Sequence, residues 1–156
     1  MTDVVARQIV CAVRGGIESR DTVTRAIGLA LQTGARLTFL HVMDAEFLQY
    51  ATVGPLSVVY SELVEMGTFA MMILRDRAQR RGVAQVDYEV REGNIRKQLL
   101  QFAIATQAEV LVIGRPTRSP GRNVFEAGGM DGFIAELERE GQIRVIQAMP
   151  SASTGD

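Results

Sequence analysis

The chain alternates short apolar runs with segments of helical period, and that alternation leaves few folds open. Residues 8–14 (QIVCAVR) form a nearly continuous apolar run that stops at Gly15-Gly16. Such a run suits a strand buried on both faces, the condition of a central strand in a parallel sheet. From Asp21 the pattern changes: Val23, Ala26, Ile27, Ala30 and Leu31 recur at helical spacing. Glu18 and Asp21 lie where the helix dipole favours acids, and Gly34 suits the terminus, so a helix is predicted over 20–33. Residues 36–43 (RLTFLHVM) are β-branched and bulky and stop at Asp44, which predicts a second buried strand.

The segment 46–60 carries Phe47, Leu48, Tyr50, Val53, Leu56, Val58, Val59 and Tyr60 around Gly54-Pro55. That is more apolar surface than a connection needs, and it suits a pocket cover, an interface or a packed helix start. Leu63, Met66, Ala70, Leu74 and Ala78 then predict a second helix ending at Gly82, its apolar stripe turned to the core. The seven methionines, Met71-Met72 among them, read as pliable core filler. Val86, Tyr88 and Val90 alternate with Asp87, Glu89 and Arg91, the pattern of a strand with one wetter face near a sheet edge.

Asn94 is placed to cap a third helix that buries Ile95, Leu99, Phe102 and Ala103. Residues 110–113 are a fourth strand delivered to Gly114, and an irregular stretch over 115–130 follows with Pro116, Pro120, Gly121, Gly128 and Gly129. A last helix carries Phe133 and Leu137 and ends at Gly141, and 143–149 is a fifth strand. Residues 1–150 are expected to form one domain and 151–156 a disordered tail.

Strands that alternate with helices must return by right-handed crossovers and bury both faces under helices. The expected class is α/β: a doubly wound, five-stranded parallel sheet with helices on both faces and a flavodoxin-like strand order, 3-2-1-4-5. Ligands in such sheets bind beyond the carboxyl ends of the strands where the winding reverses. That point falls between the first and fourth strands, which puts Arg14, Gly15 and Gly16 beside the loop that starts at Gly114.

Charge narrows the partners. With 17 basic against 18 acidic residues and a formal net charge of -1, nothing marks a nucleic-acid or membrane-surface binder. The start, MTDVVARQIVCAV, has no leader pattern, and no stretch approaches the ~20 apolar residues of a membrane span, so a cytoplasmic location is expected. Cys11 lies inside an apolar run and reads as a core residue, while the lone His41 reads as a structural residue of a strand. No Cys/His/carboxylate cluster has metal spacing.

The order of elements, LHV at Leu40 to Val42, AEVLVIGR at Ala108 to Arg115 and the glycine-bearing loop after it resemble the universal stress protein family. The resemblance implies five parallel strands, a homodimer that commonly pairs through the fifth strand, and in one subgroup ATP at the switch point. It puts the cleft at Arg14, Gly15, Gly16, Val42, Gly114, Arg115, Gly121, Gly128 and Gly129. The ATP-binding subgroup carries an aspartate at the end of the first strand, followed later by a loop of Gly, two residues, Gly, nine residues, Gly and a Ser or Thr.

Here Arg14 stands at the aspartate's place, and counting from Gly114 meets Thr117 and Ala127 where glycines are required. Gly128 stands where the hydroxyl is required. A carboxylate accepts hydrogen bonds from ribose or adenine, whereas a guanidinium only donates. ATP is therefore expected to bind weakly, although Gly128-Gly129 ahead of the last helix, with Arg14, Arg115, Arg118 and Arg122, could hold a phosphate-bearing anion.

The expected function is a homodimeric regulatory or stress-response domain with a degenerate nucleotide- or anion-binding cleft. The alternative is an ATP- or AMP-binding member or an adenine-nucleotide enzyme, but no Walker loop, dinucleotide fingerprint or Gly-x-Ser-x-Gly elbow occurs. A phospho-receiver would need carboxylates where Arg14 and Gly15 stand.

Overall fold

Each of the five predicted strands forms, and the helices between them run back along the sheet. The structure, a computed structural model, describes residues 8–13, 20–44, 55–114, 129–141 and 143–148. Along the chain lie β1 (Gln8–Ala12), α1 (Arg20–Thr33), β2 (Arg36–Asp44), α2 (Pro55–Arg80), β3 (Val86–Gly93), α3 (Ile95–Ala105), β4 (Val110–Gly114), α4 (Gly129–Gly141) and β5 (Arg144–Ala148). All pairings are parallel and the order is β3-β2-β1-β4-β5, as the alternating pattern predicts. β3 is an edge strand, in keeping with its charged alternate positions.

Strand alternation sorts the buried side chains into two layers. On one face Ile9, Cys11, Leu37, Phe39 and Val112 meet Val23, Ala26 and Ile27 of α1 and Met71 and Ala78 of α2. On the other, Val10, Leu40, Leu111 and Ile113 meet Leu99 and Phe102 of α3 and Phe133 and Leu137 of α4. Helix ends follow local chemistry. The Asn94 side chain accepts a bond from the Lys97 amide at 3.0 Å, a sequence-legible N-cap. Gly34 (φ 71°) and Gly82 (φ 109°) close α1 and α2 in the left-handed region that glycine enters without strain.

Three expectations need correction. α2 starts at Pro55, well before Leu63, because proline at the first helical turn brings a preset φ and lacks only an amide that has no helical acceptor there. Its core stripe is the predicted one at Ala70, Leu74 and Ala78, but Met66 is 66% exposed and Met71, 1% exposed, sits in the core instead. Methionine is thus core filler at Met71 and Met43 but surface at Met66 and Met72. Finally, Gly129 is the first residue of α4 and does not precede it. Among the described residues no helix is long and apolar enough to cross a membrane. The predicted tail at 151–156 and residues 46–54 of the apolar segment 46–60 lie outside the described residues, whereas 55–60 form the start of α2.

Candidate functional site

The winding reverses between β1 and β4, which pair in register with Cys11 beside Val112. Beyond their carboxyl ends lies the crevice where doubly wound sheets take ligands. β1 leaves the sheet under tight control. The Val13 amide donates to the Leu40 carbonyl at 2.8 Å, and His41 Nδ1 lies 2.8 Å from the Val13 carbonyl oxygen. A carbonyl only accepts, so Nδ1 carries the proton and, in the neutral ring, Nε2 is left as an acceptor. The ring is held from behind by α2: a Cβ added at Gly67 would come within 3.1 Å of His41 Cδ2. His41 is therefore the structural residue expected, with a specific task of clamping the residue before Arg14.

On the β4 side, Gly114 pairs with Ala148 of β5. A Cβ added there would sit 2.8 Å from Thr22 Oγ1, closer than real Cβ contacts allow. The approach of α1 to the strand end thus requires glycine, whatever the crevice binds. Thr22 is buried, and its carbonyl oxygen lies 3.9 Å from Cys11 Sγ, a weak S–H donor. Burial pushes the Cys11 thiol far above its ordinary pKa, so it is neutral and not a nucleophile.

Among the residues predicted for the cleft, Val42 is half-buried and packs against the core of the α3–α4 face. It sits opposite His41, its neighbour in sequence. Gly129 opens α4, where the first amides of a helix have no internal acceptor and the dipole favours anions. Crossover geometry turns the amino ends of α1 and α4 to the carboxyl edge of the sheet. Arg14, Gly15, Gly16, Arg115, Arg118, Gly121, Arg122 and Gly128 lie outside the described residues. The sequence reading missed Thr22 and Gly67. An isolated glycine inside a helical run, as in EMGTFA, is the available hint of a close approach.

A second concavity of about 290 Å³ opens at the amino ends of the strands, lined by Gln8, Arg36, Thr38, Asp87, Glu89 and Thr106 among others. Several of its polar groups already have partners. Gln8 Nε2 donates to Thr38 Oγ1 at 2.7 Å, Arg36 Nε donates to Gln85 Oε1 at 3.1 Å, and Glu89 is paired with Arg91. Among the described residues no group of His, Cys, Asp and Glu could hold a metal ion.

Residues 6–126 match the universal stress protein family. No curated protein matches the chain. Among solved structures, it is similar to the universal stress protein UspA from Lactobacillus plantarum, with TM-score 0.69 and 21% identity over 91% of this chain and 97% of that one. A universal stress protein from Archaeoglobus fulgidus in complex with dAMP gives TM-score 0.57 and 11% identity, over 93% and 98% of the two chains. A universal stress protein family protein from Arabidopsis thaliana with AMP bound gives TM-score 0.56 and 14% identity over 96% of each. At these identities the structural likeness carries the fold, and the match over most of the sequence carries membership: the chain belongs to the universal stress protein family.

Proposed function

We propose that this chain is a regulatory, stress-response domain that dimerises and holds a phosphate-bearing anion at the carboxyl edge of its sheet, without the firm ATP grip of the family's ATP-binding members. The observation that carries the reading is the clamp on Val13, whose amide and carbonyl are both engaged, by Leu40 and His41. It fixes the chain at the entry to Arg14, where the resemblance calls for a carboxylate and the sequence supplies a guanidinium. A guanidinium offers ribose no acceptor but pairs well with phosphate. A cytoplasmic location fits a chain of this composition.

Titration calorimetry tests the reading. Magnesium-ATP is expected to bind with a dissociation constant above about 10 μM, equivalent to roughly -7 kcal/mol. Arg14→Asp is expected to tighten it. Tighter binding by the unaltered chain, or no gain with Arg14→Asp, would overturn the reading.

A second reading, an adenine mononucleotide binder, draws support from the relatives with dAMP and AMP bound. AMP binding well below about 10 μM in the same titration would favour it.

Dimerisation is proposed through β5, an edge strand that an unpaired chain leaves open to association. Val145 leans into the core of its own α3–α4 face, so a charge there tests folding as much as pairing. Ile146, half-buried and turned to the other face, is the better probe.

A further inference from the structure

The outward face of α2 is the most apolar surface on the described residues. Of the seven large hydrophobic side chains that are exposed, five lie on this helix: Val58, Met66, Phe69, Met72 and Ile73. The helix packs on the sheet through its opposite side, with Met71 and Ala78 buried and Gly67 against His41. The outward stripe therefore takes no part in the fold described above.

The order of side chains along that stripe says what fits it. Val58, Glu62, Met66, Phe69, Ile73 and Arg77 follow one another at steps of three or four residues, which puts them on one line down the helix. An acid stands before the apolar centre and a base after it. Glu62 and Arg77 are exposed and, among the described residues, unpaired. The neighbouring Asp76 and Arg80 are joined to each other at 3.0 Å and leave Arg77 to look outward.

Such a stripe is complementary to itself when reversed. With a two-fold axis beside Phe69, an antiparallel second copy brings Phe69 against Phe69, Met66 against Ile73, and Glu62 against Arg77 at both ends. In the parallel arrangement like charges face each other and the match is lost. We propose that α2 is a self-association surface whose partner is a second copy of this chain, docked antiparallel along the stripe. This contact is independent of β5. Two different two-fold contacts on one chain build a tetramer or a filament, so the surface would set assembly beyond the dimer.

Charge reversal tests the geometry. Sedimentation velocity on the full chain from about 1 to 200 μM is run with and without Ile146→Lys, which separates this contact from any at β5. Glu62→Arg alone and Arg77→Glu alone are each expected to weaken the association roughly tenfold or more, because each turns two attractive pairs repulsive. An equimolar mixture of the two variants is expected to recover it, since every facing pair is again opposite in sign, and so is the double variant. Association should also weaken as salt is raised. Phe69→Lys is expected to abolish it while leaving the melting temperature within a few degrees. Association indifferent to either reversal, or variants that do not rescue each other in the mixture, would overturn the proposal. So would a large loss of melting temperature in Phe69→Lys, which would mean that a segment of the same chain covers the stripe.

Discussion

α1 and α2 lie on the same face of the sheet, yet only α1 is amphipathic in the usual way. α1 turns Thr22, Val23, Ala26, Ile27 and Ala30 inward, and Leu31 is its one exposed large hydrophobic. α2 is apolar on both sides, with Met71 and Ala78 in the core and Met66 and Phe69 in solvent at 66% and 64% exposure. A helix with one apolar face announces its orientation in its periodicity. A helix with two announces it less sharply: periodicity places Ala70, Leu74 and Ala78 on the core side correctly but adds Met66, which faces out.

The contrast breaks most easily at two methionines. Met71→Ala is expected to cost about 2–5 kcal/mol in chemical denaturation, the range for emptying a buried site. Met66→Ala, measured at dilution, should stay within about 0.5 kcal/mol, as for surface substitutions. Equal costs at the two positions would reverse the assignment of faces.

Glycines sharpen it further, because each helix carries one. Gly67→Ala in α2 gains about 1 kcal/mol of helix propensity. Its new methyl, however, would crowd the His41 ring at 3.1 Å, and that ring is pinned to Val13 and cannot swing aside freely. The net expectation is a loss of about 1 kcal/mol, since forcing carbon into a packed site costs about 1–3. A companion His41→Ala background should turn that loss into a gain, read from the same denaturation curves.

The smallest effect is at Gly28 in α1, where an added Cβ meets nothing within 4 Å. Gly28→Ala is expected to stabilise by about 0.5–1 kcal/mol, the propensity difference alone. A loss there would show that α1 approaches a neighbour more closely than its packing implies.

Much of the candidate site was legible only as a location. The apolar runs fixed where β1 and β4 end, and the topology brings those ends together, so Gly114 could be read as a point on the crevice. Why Gly114 is glycine could not, because the reason is Thr22 of a different element, approaching through space. His41 likewise gave no hint of its partner: Val13 is 28 residues away in sequence and becomes a neighbour only when β2 pairs with β1.

What the sequence determined alone is therefore everything that depends on short range. The strand-like runs, the parallel doubly wound class, the Asn94 cap and the edge character of β3 each follow from a few neighbouring residues and the backbone's preferences. What tertiary structure decided is which methionines of α2 face the sheet, which ring nitrogen of His41 carries the proton, and how near α1 comes to Gly114. Those outcomes rest on close-packed contacts between elements distant in sequence, where ångström-scale shape and not residue type selects the answer.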